Sequence, residues 1–422
     1  MNNLVIKNCK LIGKTGEYTI TIEDGKISDI SKLTEKSSNI IDVKGQIVLP
    51  GLIDPHVHFR DPGLTYKENM KTGSMAAANG GFTTVIDMPN TIPKTNTLKA
   101  YKEKLEITRK KSVINTLIHA GANTFENMNE IAKLNPISYK IFTDLESDSS
   151  LNEIFSNISK LDLDNPIVTI HGEDKRIVED STEMMKEKGT DEPIDYAYAR
   201  PSNAEDTAVS KVIDLAKKYN LKIHICHLSS KKSLEIIKNE IDNVDISYEF
   251  TPHHLLLNAN AFKEYGNIVK TNPPLRLEGE NLSISNVNES SILGTDHAPH
   301  SLEEKNNIVW QCPSGMPNIE NVLSLLLTEV NNKRLDLKII PKILSENAAN
   351  RFNLKGKGKI QKGYDGDLTV IDLKKEGQFN VDEFYTKGKY SPFDKTSYKG
   401  KSTMTIVNGK IVMEDNIVYD TN

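Results

Sequence analysis

The sequence predicts an α/β protein, a (β/α)8 TIM-type barrel with a small β-sandwich domain built from both chain termini. Three observations predict it. The two ends of the 422-residue chain read alike and differ from its middle. The middle alternates short apolar runs with amphipathic helical stretches, the pattern of βα units. An open doubly wound sheet is the competing arrangement, but the Gly-rich phosphate loop expected of it, GxGxxG or GxxxxGK[ST], does not occur.

At the N-terminal end LVIKNCKLI, YTITIEDGKISDI and IIDVKGQIVLPG are short β-branched runs, with Asp24-Gly25 as a hairpin turn. At the C-terminal end DLTVIDL and STMTIVNGKIVMED repeat the pattern, with Asn408-Gly409 as the turn. Residues 1–52 and 353–422 are therefore expected to share one β-domain, and 53–352 to form the barrel. Barrel strands are expected to begin near Leu52, Phe82, Val113, Ser138, Ile167, Lys222, Ile246 and Ser291. YKENMKTGSMAAANGG, NTLKAYKEKLEITRKK, SNAEDTAVSKVIDLAKKYN and KKSLEIIKNE read as helices between them. Gly80-Gly81 reads as a helix stop, and LKGKGKIQKGYDGD as a flexible connection out of the barrel.

Fifty-three basic and 58 acidic residues give a net charge of −5, with no basic cluster, which argues against nucleic acid and membrane surfaces as partners. No run approaches the ~18 apolar residues of a membrane span, and the start MNNLVIKNCKLIG lacks the features of a signal peptide. Three widely spaced cysteines, Cys9, Cys226 and Cys312, suit a reducing cytoplasm rather than a disulfide framework. Cys226 reads as a small buried residue on a strand in preference to a metal ligand or nucleophile.

His56 and His58 stand at i and i+2, so a strand would point both imidazoles to one face. His171 ends PIVTIHGED, His227 lies in KIHICHLSS, and Asp296 ends SILGTDHAPH. Each is a metal-competent or acid–base group at the carboxyl end of an expected strand, where barrel active sites lie. Imidazoles and carboxylates together suit Zn²⁺ or a related divalent ion. Lys140, in YKIFTD, could become a metal-bridging carboxylate by carbamylation, or could be a lysine reaching from a strand end to water.

The ordered motifs PGLIDPHVHFRDPG, GGFTTVIDMPNTIP, YKIF, IHGED, HICHLSS, TNPPLR and GTDHAPH resemble those of the dihydroorotases, in the amidohydrolase superfamily, over nearly the whole chain. The resemblance implies two zinc ions, His56 and His58 on the first and His171 and His227 on the second. It further implies an N6-carboxylated Lys140 as bridge, with Asp296 as ligand of the first ion and proton shuttle. It gives Arg60, Asn90, His300 and, less directly, Asn272 to the substrate, an Arg fork matching its carboxylate. Two other partners for Arg60 stay open, Asp61 and Glu68, and Asn90 could instead cap a turn before Pro93. The implied reaction is reversible cyclisation of N-carbamoyl-L-aspartate to L-dihydroorotate in pyrimidine biosynthesis, through a metal-bridging hydroxide. A cytoplasmic homodimer is the family expectation. Allantoinase or dihydropyrimidinase activity, or a non-catalytic subunit, are the alternatives.

The sequence departs from the family at three points. FTDL offers Asp144 as a rival to Lys140 for the bridging place, Asn318 replaces a usual glycine, and DLESDSS does not match the substrate-covering loop. His119, His224, His253, His254 and His297 read as core groups or groups orienting the ligands. Trp310, Met184 and Met185 read as packing.

Overall fold

The computed structural model describes residues 4–32 and 39–420; residues 1–3 of the chain start, 33–38 and 421–422 lie outside the described residues. The β-branched runs of both ends pair into a single nine-stranded sheet. Its two halves meet where Ile47–Pro50 runs antiparallel to Leu368–Gln378, Val48 opposite Val370. Both expected hairpin turns form, with positive φ at Asp24, Gly25, Asn408 and Gly409, as the right-handed twist of paired strands demands. Ile6, Ile20, Ile22, Leu368, Val370 and Ile406 pack as that sheet's own core.

Between the ends the strands are parallel. Leu52–Val57, Phe82–Asp87 and Asn115–Ile118 pair in that order. Ala120–Gly121, Tyr139–Phe142, Ile167–His171, Lys222–Ile225, Ile246–Phe250 and Ile292–Leu293 follow as a second parallel set. Only His119 separates the two sets along the chain. A parallel bridge from Val57 to His297, with His58 N–H donating to the His297 carbonyl at 2.8 Å, ties the first strand to the segment after the last. Every residue of Leu52–Val57, Phe82–Asp87 and Ile167–His171 is buried, as parallel strands covered on both faces require.

The four expected helices form with their caps. Asn69 and Thr72 make a capping box before Met70–Asn79, while Thr97 and Ser230 cap Leu98–Lys111 and Lys231–Glu240. Ser202–Tyr219 ends on Asn220 in the left-handed region. The first helix starts four residues later than its sequence pattern suggests, because Tyr66 and Lys67 belong to the preceding loop. Its last carbonyls have no partner within the helix. Thr405 donates to the Ala78 carbonyl at 2.8 Å and Ser402 to that of Asn79 at 3.0 Å, which docks the terminal sheet on this helix. The connection 354–367 is not a loose tether: Lys357 pairs with Asp365 at 2.9 Å and Asp367 at 2.5 Å. Its glycines provide turns, and its charges hold them in place.

Candidate active site

A cavity of about 610 Å³ opens at the carboxyl ends of the parallel strands. The residues assigned to metal, bridge or substrate from the sequence all line it except His300. Three of them, Arg60, His227 and Asp296, have φ of 61°, 36° and 47°. Non-glycine residues seldom hold such angles, and local backbone strain of this kind gathers at functional sites.

The imidazoles form two groups. His56 Nε2 and His58 Nε2 are 3.3 Å apart, and Asp296 Oδ1 is 3.3 and 3.2 Å from them. His171 Nδ1 and His227 Nε2 are 2.9 Å apart. The His56 and His227 rings, 5.1 Å between centroids, bring the groups together.

The other nitrogen of three of these rings is tied to an acceptor. His56 Nδ1 bonds Glu249 Oε1, and the other oxygen of Glu249 is 3.1 Å from His224 Nε2. Glu249 Oε1 also accepts from the His227 backbone N–H at 3.1 Å. His58 Nδ1–H donates to Asn90 Oδ1 at 2.7 Å, so Asn90 orients the His58 ring, and no hydrogen bond uses its amide N–H groups among the described residues. His171 Nε2–H donates to Glu173 Oε2 at 2.9 Å. That bond leaves a lone pair on Nδ1 facing His227. Asp54 secures the first strand by accepting from the backbone N–H groups of His56 and Thr295, both at 3.0 Å.

This donor set fits divalent ions. Two nitrogens on one tetrahedral ion at ~2.05 Å lie roughly 3.3 Å apart, near the observed separations. The buried His227 Nδ1 has no hydrogen-bond partner among the described residues. Burial pushes His58 down to about 4 and His227 well below its ordinary range, so both are neutral donors. Burial alone would raise Asp296, but His56 and His58 hold it well below the usual carboxylate range.

Lys140 is 2% exposed, which excludes a lysine reaching to water. Its Nζ is 2.8 Å from Cys226 Sγ and 5.1 Å from the Phe142 ring centroid, and no carboxylate pairs with it among the described residues. Cys226 is buried as expected, one residue past the strand Lys222–Ile225, and its sulfur lies close to donor atoms of His56 and Glu249. Asp144 is placed differently from Lys140. Its Oδ2 takes Arg200 at 2.6 Å, and its Oδ1 lies 3.7 Å from His171 Nε2, the ring edge turned away from His227.

On the opposite wall Arg60 is 7% exposed. Neither Asp61 nor Glu68 takes it: Asp61 accepts from Lys111 at 3.0 Å, and Glu68 from Thr72 and Thr386. Arg60 Nε donates to the Pro299 carbonyl at 3.3 Å, and no carboxylate pairs with its guanidinium among the described residues. Asn272 lines the cavity with Oδ1 accepting from Tyr196 at 2.5 Å. His300 lies behind Arg60, with Nε2–H donating to the Ser314 carbonyl at 2.9 Å. Gly315, φ 136°, lets it lie there, since a Cβ would come within 3.1 Å of His300 Nε2 and 2.4 Å of the Ala298 carbonyl.

The departures from the family pattern are also accounted for. Asn318 turns inward, its amide 3.0 Å from His253 Nδ1, and does not line the cavity. Asp144 to Ser150 forms a 3-10 turn and the capped start of helix Asp148–Ile158, with Leu145 and Glu146 on the cavity wall. His119 and His253 are bound within the core, through Ser138 and Thr251 respectively. Glu173, Glu249, Arg200 and Lys67 were not found from the sequence. Glu249 left a faint signal, a carboxylate inside the apolar run ISYEF.

Residues 47–412 match the amidohydrolase family, and the chain belongs to it. Within that family it stands with the dihydroorotases. It is 47% identical to a dihydroorotase of Methanosphaera stadtmanae over 99% of this chain and 98% of that protein. It is 44% identical to one of Methanothermobacter thermautotrophicus, covering 100% and 96%. Among solved structures, the L-hydantoinase (dihydropyrimidinase) of Arthrobacter aurescens superposes with a TM-score of 0.93 at 28% identity, covering 100% of this chain and 98% of that one.

Proposed function

We infer that the chain interconverts N-carbamoyl-L-aspartate and L-dihydroorotate, as a dihydroorotase of pyrimidine biosynthesis. Arg60 carries this reading. A buried charge without a partner costs several kcal/mol (~3–5 on removal of a partner), so a guanidinium turned to the cavity calls for an anionic ligand. Dihydroorotate has a carboxylate on its ring; hydantoin and dihydrouracil rings do not. The hydantoinase likeness favours a neutral ring, but Arg60 has no role in that reading.

The parallel strands are read as a closed (β/α)8 barrel over 53–352, with the two ends as a β-sandwich domain. Two zinc ions are the proposed cofactors: His56, His58 and Asp296 would hold one, and His171 and His227 the other. Lys140, carboxylated on Nζ, is favoured over Asp144 as bridge, because Arg200 draws Asp144 away from the gap between the two groups. Ions held there would supply Lewis-acid polarisation of the amide carbonyl and lower the pKa of water.

Asp296 is the proton carrier. With its pKa held low it is ionised at neutral pH, and the carboxylate oxygen not turned to His56 and His58 would take the proton of the attacking water and deliver it to the departing ring nitrogen. In the closing direction the carbamoyl nitrogen bonds to the β-carboxyl carbon and passes one proton to Asp296; that proton and one taken up from solution leave with a β-carboxyl oxygen as water. Arg60 and the Asn90 amide hold the α-carboxylate, fixing the ring against that carboxyl. Metal-reconstituted protein should hydrolyse dihydroorotate and spare allantoin and dihydrouracil; the reverse preference would overturn the reading. Asp296→Asn should lower kcat by roughly 10² to 10⁴ without moving KM comparably, and a near-normal rate would remove its role.

A further inference from the structure

Lys67 is not part of the reaction as described, yet its position behind the anion subsite is specific. It is 9% exposed, and its Nζ is 2.9 Å from His300 Nδ1 and 2.8 Å from Glu304 Oε1. An ammonium can only donate, so His300 Nδ1 must accept. The proton then belongs on Nε2, and the Ser314 carbonyl 2.9 Å away receives it. Arg60 NH2 is 3.1 Å from the same Nε2. With Nε2 protonated, that approach is donor against donor and makes no hydrogen bond. The Arg60 N–H that points at His300 is then left without an internal acceptor.

We propose that Lys67 is a positioning and specificity residue of the anion subsite: it fixes His300 in the Nε2–H tautomer and so denies Arg60 an internal acceptor. The alternative tautomer would put a lone pair on Nε2, where Arg60 would spend a hydrogen bond on its neighbour instead of on the ligand. Burial, followed by the charges of Arg60, Lys67 and Lys305, holds His300 far below its ordinary range, so the ring is neutral and a tautomer choice is what remains. Glu304, 26% exposed, pairs with the Lys67 ammonium from the more exposed side.

The proposal rests on the carboxylate-bearing substrate inferred above, and the two can fail separately. The test compares Lys67→Met, Lys67→Gln and Lys67→Arg with the wild type in metal-reconstituted protein. It reads KM and kcat for dihydroorotate, and binding of orotate against the uncharged control uracil. Lys67→Met should raise KM and the orotate Kd about tenfold or more, with kcat within threefold and uracil binding unchanged. Lys67→Gln, which can still donate to Nδ1 without charge, should fall between, and Lys67→Arg should recover most of the loss. Unchanged orotate affinity in folded, metal-replete Lys67→Met would overturn the proposal. So would equal losses for orotate and uracil, which a merely structural role would produce. Should Lys67→Met fail to fold, Lys67→Gln against Lys67→Arg carries the same comparison. Wild-type protein inert toward dihydroorotate would overturn the functional reading, while the orotate and uracil arms would still judge Lys67.

Discussion

Two buried arginines, Arg60 on the cavity wall and Arg200 behind Asp144, are treated in opposite ways. Arg200 NH2 is 2.6 Å from both Glu173 and Asp144, and those charges hold its pKa well above the ordinary value even against burial. Arg60 bonds a carbonyl, lies against an imidazole and pairs with no carboxylate among the described residues, and burial lowers its pKa against the more distant charge of Asp296. The difference separates structure from recognition. Arg200 completes an internal network that sets His171, so its charge is satisfied before any ligand arrives. Arg60 is kept unsatisfied, which is costly in the free protein and selective in the complex.

Replacing each arginine by methionine sharpens the contrast. Arg200→Met leaves Glu173 buried without its counter-charge and should cost about 3–5 kcal/mol of stability, read as a lowered denaturation midpoint, with loss of bound metal. Arg60→Met removes a buried charge that has no carboxylate partner, and its stability should be unchanged or higher. Comparable destabilisation in both would erase the distinction.

The same wall as Arg60 contains a smaller, pH-dependent effect. Burial pushes Lys305 down to about 8, although its Nζ donates to the Lys270, Pro313 and Gly315 carbonyls at 3.3, 3.2 and 3.1 Å. Its folded pKa lies below the unfolded value of about 10.4, so between them the unfolded chain binds more protons. Stability from this group therefore rises as pH climbs from about 8 toward 10. Wild type should gain stability over Lys305→Met between pH 7.5 and about 9.5 in chemical denaturation. A parallel pair of curves would show that Lys305 is not depressed.

The sequence revealed groups whose chemistry and local period agree, and missed those that depend on distant partners. His56 and His58 could be read because an i, i+2 pair must share a strand face, and His171, His227 and Asp296 because each closes an apolar run. Lys140 could be placed at a strand end, but its burial beside Cys226 depends on a residue 86 positions away. Glu249 and Arg200 act across strands, and nothing in their immediate neighbours announces the histidines they orient. Lys67 was hidden because YKEN looks like the first turn of the helix that starts at Met70. The terminal halves declared themselves as one shared β-domain, whereas the register that joins them, Val48 opposite Val370, had no signal in the sequence. The left-handed angles of Arg60 and His227 had no signal at all, since strain imposed by the surroundings favours no particular residue there.

The central claim, that Arg60 selects a carboxylate, is tested most directly by the ratio of kcat/KM for dihydroorotate to that for dihydrouracil in wild type and Arg60→Met. Wild type should favour dihydroorotate by at least about 10³, and Arg60→Met should lose most of that preference through dihydroorotate alone. A preference that survives the substitution intact would contradict the claim.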